Sequence, residues 1–261
     1  MNAAPSRTLS VAFWLVIAFL FFPVLVVLPL AVGETETILF PPRGFTLRWL
    51  HAFVTEERWV QATLLSARVA LAAAVLATGT GLLAAVALAR HLRRARGWLE
   101  GIMVAPLIVP GIVFGLGAYI LFARLRLIES EAGLVALHAV LGLPYALLII
   151  GAGLAQTDET LERAARICGA GPIRAFTAVT LPALKGPLVA AFLFAFFVSF
   201  DELAASLFVM GAKSTLPMLI WADLRLQFNP VVNAAAAVLI ILSVAGLTLA
   251  EFLRRPARAN P

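Results

Sequence analysis

Charged residues are scarce in this chain of 261 residues, where they make up only 13% of the sequence. A soluble domain keeps roughly a quarter of its residues charged in order to cover its surface. Hydrophobic residues account for 62%, and the mean hydropathy is +0.99. The polar residues are too few to cover a water-facing surface. This excludes a soluble protein of one or two domains and indicates that lipid is the solvent.

Cysteine and histidine are also rare, and their scarcity excludes most metal chemistry. The single cysteine, Cys168, excludes an internal disulfide framework and gives no support for a metal cluster. The three histidines, His51, His91 and His138, are isolated from one another along the chain. Their spacing does not match that of metal ligands, so we expect neither a metal site nor any other cofactor.

Sequence motifs for nucleotide binding and hydrolysis are missing. The phosphate-binding motif G-x-x-x-x-G-K-[ST] does not occur, and a near match at 211–214 lacks the glycine before Lys213. Neither G-x-S-x-G nor H-E-x-x-H is found, so no catalytic residue is expected. The sequence therefore predicts that this chain is not an enzyme and that any ATP is hydrolysed by another chain.

Long apolar stretches are what the chain does contain. A membrane helix needs about 20 mostly apolar residues, because each residue rises ~1.5 Å across a hydrocarbon core of ~30 Å. Six stretches qualify, and they are 9–32, 64–89, 102–123, 133–155, 187–210 and 231–252. The first follows Arg7 like a secretory signal, but it is longer than a signal core of about 7–15 residues and lacks a small-x-small cleavage site. We therefore predict an all-α integral membrane bundle of six helices, with the first one retained.

The basic residues indicate how the bundle is oriented. With both termini inside, 12 of the 20 Lys and Arg residues fall in inner segments and 7 in outer ones, while Arg68 lies within the second stretch. The positive-inside rule then predicts cytoplasmic termini. The same bias accounts for the formal net charge of +6, so no nucleic-acid partner is expected.

Small residues and prolines interrupt the third stretch. Gly111 and Gly115 form a G-x-x-x-G pair, which lets two helix backbones approach closely in lipid. The pair serves either packing within the chain or contact with another subunit. Pro106 and Pro110 flank the region and predict a kink in the helix.

The inner connector at 156–186 is long and patterned. Asp158 or Thr160 is suited to cap a short helix that ends near Gly169, and Pro172 is suited to open a second one. One face of the first helix carries Leu161, Ala164, Ala165 and Cys168 at helical spacing. Such a helix pair either docks into a groove on another protein or lies flat at the lipid interface.

The same connector carries a motif with fixed spacing. Ala164-Ala165, Gly169, Val179 and Leu181-Pro182 together resemble the "EAA" loop of ABC-type importer permeases. In that family the loop forms coupling helices that sit in a cleft of the cytoplasmic ATPase. The resemblance implies that the ATPase-coupling residues are Glu162, Arg163, Ala164, Ala165, Gly169, Leu181 and Pro182.

One position departs from the family pattern. Arg163 stands where the family usually has the glutamate, and the adjacent Glu162 points ~100° away on a helix of 3.6 residues per turn. The usual charged contact with the ATPase is therefore expected to be lost or to have the opposite sign, while the shape of the backbone is kept.

Two further segments are similar to the spermidine/putrescine permease group. The first is the outer segment 40–49. The second comprises 199–202 together with 215–217 and 229–230. The resemblance covers essentially the whole chain and implies a type I ABC importer transmembrane domain. It divides the chain into an N-terminal helix and outer loop at 1–59, the transmembrane domain at 60–252 and a short cytoplasmic tail at 253–261.

This family resemblance also implies a location in the bacterial inner membrane, partners and a mechanism. A permease of this kind pairs with a second related permease, a cytoplasmic ABC ATPase dimer and an external solute-binding protein, and works by alternating access. Polyamine is the expected solute, and ferric ion, sulfate and thiamine are the alternatives within the same architecture. A self-sufficient secondary carrier would predict internal inverted repeats and several buried charges, which we do not find in the sequence.

Two acidic residues lie in the fifth apolar stretch. Asp201 and Glu202 are candidates for the solute pathway, because a carboxylate in a membrane segment faces the bundle interior or a water-filled path. The alternatives are an ion pair between helices or a satisfied kink. Trp49 and Trp221 could stack on an alkyl-ammonium chain or anchor the protein at the membrane interface. Arg68 is expected to snorkel or to pair with a carboxylate.

Overall fold

The computed structural model describes residues 7–36, 40–92, 94–226 and 229–254, and every regular element in these ranges is helical. The longer helices are α1 (Arg7–Leu30), α2 (Arg48–Thr55), α3 (Glu57–Arg90), α4 (Arg96–Val104), α5 (Gly111–Leu125), α6 (Glu131–Ala155), α7 (Glu159–Ile167), α10 (Lys185–Phe200), α12 (Leu216–Leu226) and α13 (Val231–Arg254). The short ones are α8 (Pro172–Ala175), α9 (Leu181–Ala183) and α11 (Ser206–Val209). The expectation of an all-α fold is confirmed.

Among the residues that the structure describes, three helices are long and apolar enough to cross a membrane unaided. They are the helical segments Leu9–Leu30, Glu57–Arg90 and Glu131–Ala155, which correspond to the first, second and fourth predicted stretches. The sixth stretch lies in α13, whose apolar part is Val231–Gly246. The tail at 255–261, with Arg255 and Arg258, lies outside the described residues, as does Arg93.

The third span was predicted to be one kinked helix, and this prediction was wrong because the structure has two separate helices there. α4 continues through a 3-10 turn at Ala105–Leu107, and α5 then leaves at 100° to it. Pro110 explains the break, because it has no N–H to donate and disfavours helical geometry at the preceding residue. It adopts an extended conformation with ψ 133° just before α5 begins.

The prediction of one continuous helix for the fifth span, 187–210, was also wrong. α10 begins at Lys185, bent by 70° from the preceding short helices, and ends at Phe200. Residues 201–205, here called the break segment, separate it from α11. The Glu202 carboxylate accepts a hydrogen bond from the Ala205 N–H at 2.8 Å, which offers the backbone a partner other than the helical carbonyl.

Two compact units divide the described chain. The first comprises Met1–Gln61 and Leu219–Ala245, and the second Ala62–Met218 and Gly246–Pro261. In the first unit Asp223 is almost fully buried and accepts two hydrogen bonds from Arg58, at 3.1 and 2.7 Å, and one from Asn229 at 2.9 Å. This ion pair links the start of α3 to α12.

Small residues allow the helices of the second unit to pack closely. A Cβ on Gly142 of α6 would lie 3.2 Å from the Cβ atoms of both Ala77 and Ala195. A separate buried apolar core of this unit draws on α3, α5, α6 and α11, and includes Leu65, Val69, Phe122, Leu134, Leu137 and Val209. In lipid such packing replaces the hydrophobic drive that holds a soluble core together.

The glycine pair of α5 packs within the chain. A Cβ on Gly111 would lie 3.2 Å from the Ala204 Cβ, and one on Gly115 would lie 2.8 Å from the Ala205 Cα. Both alanines belong to the break segment. Of the two interpretations of the G-x-x-x-G pair, internal packing is therefore the one that the structure shows.

Candidate functional site

The helix α7, the first in the connector at 156–186, begins and ends as its sequence predicts. Asp158 caps it by accepting the Thr160 N–H at 2.8 Å. That bond, a second one from the Thr160 side chain and the charge of Arg163 hold the pKa of the Asp158 carboxyl below its usual range. Gly169 follows the helix with φ +93°, which favours glycine, and Pro172 takes the first turn of α8.

An exposed apolar patch runs over this loop. Leu161 is 60% exposed, Ile167 87% and Ile173 79%, and Ala164 and Cys168 are exposed beside them. An exposed apolar surface of this extent marks a contact either with a partner protein or with the lipid interface, which are the two interpretations that the sequence left open. Ala165 is only half-buried, so most of the predicted docking face is accessible.

Arg163 and Glu162 occupy different surroundings although they are adjacent. Arg163 is exposed and pairs with Glu159 one turn away at 2.9 Å. Glu162 instead points inward and accepts two hydrogen bonds from Arg90, each at 2.8 Å. The Thr180 hydroxyl donates a further bond to the same carboxylate. Glu162 thus anchors α7 within the chain, and its predicted role in coupling to the ATPase stays a prediction.

The electrostatics of Glu162 follow from this arrangement. Burial by itself would raise the pKa of the carboxyl. The hydrogen bonds from Arg90 and Thr180, together with the charges of Arg90 and Arg166, outweigh burial and hold the pKa below its usual range. Glu162 therefore stays ionised at neutral pH and ties α7 to the inner end of α3.

The C-terminal part of the connector at 156–186 contains a π-helical turn. Phe176–Thr180 forms this turn, and the guanidinium of Arg90 lies 5.6 Å from the Phe176 ring centroid. Leu181 and Pro182 follow directly in α9, just before the bend into α10. A cavity of about 700 Å³ opens between the C-terminal end of α3 and the helices α7 and α8, and Arg90, Glu162 and Phe176 are among its lining residues.

The two acidic candidates sit on the break segment and differ in their bonding. Glu202 is fixed by the Ala205 N–H, and its carbonyl accepts the Ser206 hydroxyl at 3.0 Å. Asp201 is exposed and closes α10, with its own N–H bonded to Phe197. Within the described part of the chain, no Lys or Arg pairs with either carboxylate. Glu202 therefore satisfies a kink, while the carboxylate of Asp201 is available.

The two candidate tryptophans belong to the first unit. The Trp49 indole donates to the Gly33 carbonyl at 2.9 Å, and the Arg48 guanidinium lies 4.0 Å from its ring centroid. The Arg225 guanidinium lies 4.3 Å from the Trp221 ring centroid in the same way. Each indole therefore already makes a cation–π contact on one face. Their role in binding a solute stays a prediction.

Two polar residues that the sequence analysis left without a role prove to be central. Arg90 was counted only as one of several inner positive charges, yet it holds Glu162. His138 is 1% exposed and is bonded to Ser199 and Ser206. Arg68, as expected, pairs with a carboxylate, that of Glu131 at 2.9 Å. No group of three metal-ligating side chains occurs among the residues that the structure describes.

Comparison with known proteins now adds to this geometry. A family model described as "Binding-protein-dependent transport system inner membrane component" matches residues 77–258. The chain belongs to this family. It is therefore a non-catalytic permease subunit of an ABC importer in the inner membrane. Transporters of this kind depend on an ATPase and on a solute-binding protein as partners.

Individual relatives of this permease are similar over most of its length. The putrescine transport system permease protein PotI of Escherichia coli (strain K12) is 30% identical over 237 residues, covering 88% of this chain and 83% of the relative. The spermidine/putrescine transport system permease protein PotC of Haemophilus influenzae is 28% identical over 243 residues, covering 93% and 94%.

Solved structures confirm the fold of the permease. A bacterial ABC transporter involved in the import of the acidic polysaccharide alginate matches with a TM-score of 0.72 at 13% identity, covering 96% of this chain and 99% of that one. An amino acid ABC transporter with histidines matches with a TM-score of 0.60 at 17% identity, covering 79% and 97%. At these identities the likeness concerns the fold alone.

Proposed function

We propose that this permease imports a cationic amine of the polyamine class. The observation that carries the proposal is the exposed Asp201 carboxylate, which lies at the end of a membrane helix and has no Lys or Arg partner in the described part of the chain. An ammonium group loses hydration when it enters a membrane protein, and a carboxylate on its path offsets part of that cost. The relatives whose names mention putrescine and spermidine support the same solute class.

In this proposal the two carboxylates have different tasks. Asp201 contacts the ammonium group of the solute directly. Glu202 is secondary, because its Oε1 is already occupied by the Ala205 N–H. Its negative charge still adds to the attraction for a cation at short range.

In this proposal the connector at 156–186 transmits the energy of ATP hydrolysis from the ATPase to the helix bundle. We place the exposed patch around Leu161, Ala164 and Cys168 in the cleft of an ATPase subunit, with the Gly169 turn following it. Closure of the ATPase pair on ATP would then push on α7 and, through the Glu162–Arg90 ion pair, on the inner end of α3. A second related permease completes the pathway, and both termini lie in the cytoplasm.

Uptake of labelled putrescine and spermidine by the assembled transporter tests the solute. Replacing Asp201 by Asn should lower uptake about tenfold, equivalent to ~1.4 kcal/mol of lost solute stabilisation, while Asp201→Glu keeps most of it. Glu100→Gln is the matched control, because it removes a carboxylate that pairs with Arg96 on another segment. Unchanged uptake of every amine by Asp201→Asn, or uptake of sulfate or ferric ion in place of amines, would refute the proposal.

A further inference from the structure

His138 lies in the second unit, beside the break between α10 and α11. It belongs to α6, is 1% exposed and has both ring nitrogens in hydrogen bonds. Nδ1 lies 2.7 Å from the Ser199 hydroxyl, one residue before α10 ends, and Nε2 lies 2.9 Å from the Ser206 hydroxyl, where α11 begins. The imidazole therefore bridges the two sides of the break segment.

The direction of these bonds follows from the Ser206 hydroxyl. Its single proton is donated to the Glu202 carbonyl at 3.0 Å. The Ser206 oxygen therefore accepts from Nε2 of His138, which places the imidazole proton on Nε2. Nδ1 is then the acceptor for the Ser199 hydroxyl. This arrangement gives every polar atom of the group a partner, including a carbonyl that the end of α10 would otherwise leave open.

The break segment is also packed against α5. Gly111 and Gly115 bring the backbone of α5 against Ala204 and Ala205, so closely that a Cβ on Gly115 would lie 2.8 Å from the Ala205 Cα. Within the segment the Glu202 carboxylate accepts the Ala205 N–H. The break segment is thus held both by its close packing against Gly111 and Gly115 and by the His138 hydrogen bonds.

We propose that His138 is a positioning residue that holds the break segment, and with it the Asp201 and Glu202 carboxylates, in the geometry that receives a cationic solute. This rests on the proposed function in so far as the solute is a cation. His138 itself does not touch the solute. It acts through Ser206, whose hydroxyl fixes the Glu202 backbone.

The chemistry of the site favours positioning over simple space filling. A buried imidazole must give up its hydration, which an aliphatic side chain of similar volume would not have to do. Filling the same space would therefore be achieved better by leucine. A polar group that is fully bonded specifies one arrangement of its partners, because any other arrangement leaves a buried donor or acceptor open.

Three substitutions at one position separate the two sides of the bridge. Asn reaches to about the level of Nδ1 and keeps only the bond to Ser199, whereas Gln reaches to about the level of Nε2 and keeps the bond to Ser206. In the assembled transporter His138→Gln should stay within about threefold of wild type in amine taken up per ATP. His138→Asn and His138→Ala should both fall about tenfold. Equal losses in all three variants would overturn the proposal.

Ser66→Ala is the matched control for the loss of a buried hydrogen bond. The Ser66 hydroxyl is buried in the same unit and accepts the Leu216 N–H at 2.8 Å, away from the break segment. The variant should leave uptake per ATP unchanged even where it lowers thermal stability. A loss of uptake per ATP as large as that of His138→Ala would show that any buried bond has the same effect and would overturn the proposal.

The single cysteine of the chain permits a second readout that needs no solute. In a Cys168→Ser background, Ala204→Cys places one thiol in the break segment, and its rate of reaction with a maleimide is followed by mass spectrometry of this chain. Adding His138→Ala should raise that rate at least about threefold, because the turn opens more often. Lys213→Cys is the control, and its rate should not change. An unchanged rate at position 204 overturns the proposal.

The two readouts keep the inference and the proposed function apart. If the wild-type transporter takes up no amine, the proposed function fails, and the thiol rates still decide whether His138 holds the break segment. If amines are taken up but the thiol rate and the Gln and Asn variants show no difference, the inference fails alone.

Discussion

The ion pair between Glu162 and Arg90 makes the sharpest energetic prediction. The perturbation is a double-mutant cycle of Glu162→Gln, Arg90→Gln and the two together. Glu162 and Arg90 are joined by two hydrogen bonds of 2.8 Å, and their side chains are only 12% and 21% exposed. A single substitution leaves the other charge largely buried without its partner.

The expected magnitude follows from this partial burial. Breaking a fully buried ion pair by removing one partner costs about 3–5 kcal/mol, and an exposed pair is worth about 0–1 kcal/mol. With some solvent access and the Thr180 bond remaining, each single variant should lose about 2 kcal/mol of unfolding free energy. The double variant should lose much less than the sum, giving a coupling energy of about 1–2 kcal/mol.

Unfolding of the purified permease in mixed micelles measures these free energies. The pair Arg163–Glu159, one turn apart on the same helix, provides the matched control, since its side chains are 69% and 44% exposed. Its coupling energy should be below about 0.5 kcal/mol. If the Glu162–Arg90 coupling is no larger than that of this surface pair, the anchoring of α7 to α3 is refuted.

Three further outcomes follow from the same structure. Since the folded pKa of Glu162 is below its ordinary value of 4.5, the stability advantage of wild type over Glu162→Gln should be full above that pH and disappear as the pH falls below it, as pH-dependent unfolding would show. Gly169→Ala should cost about 1–2 kcal/mol in thermal unfolding, because φ is +93° although the space around it is open. Gly115→Ala should cost about 1–3 kcal/mol, because its Cβ would lie 2.8 Å from the Ala205 Cα. Gly117→Ala, whose Cβ would meet nothing within 4 Å outside the nearby backbone of its own helix, should not destabilise and should gain up to about 1 kcal/mol from helix propensity.

The sequence predicted the helices that are set by length and composition. The α3 and α6 helices followed from uninterrupted apolar stretches, and the caps of α7 followed from Asp158, Gly169 and Pro172, because all of these signals are local. The motif spacing of the coupling loop also identified the family, whose model matches residues 77–258.

The breaks in the third and fifth spans could not be placed from composition alone. Apolar residues continue on both sides of 108–110 and of the break segment, so hydropathy shows one stretch where the structure has two helices. Pro110 indicated a kink but not its angle of 100°. The second break depends on a hydrogen bond that the Glu202 carboxylate accepts from the Ala205 N–H and that competes with the helical hydrogen bond.

The roles of Glu162 and His138 depend on partners that are distant in the sequence. Glu162 meets Arg90 across 72 residues, and His138 meets Ser199 and Ser206 across 61 and 68 residues. No local pattern encodes such contacts. For His138 the available signal was a polar residue in an apolar stretch, which is itself an indication of function in a membrane protein. Glu162 lies in a polar connector, where one more carboxylate gives no such signal.

Labelling of Cys168 tests the central claim, that the loop at 156–186 faces the cytoplasm and receives the ATPase. Cys168 is exposed on this loop, and it is the single cysteine of the chain, so no engineered probe is needed. A maleimide that cannot cross membranes should label it in inverted vesicles but not in intact spheroplasts, and bound ATPase should slow the reaction. Labelling in spheroplasts, or a rate in inverted vesicles that bound ATPase leaves unchanged, would contradict the claim.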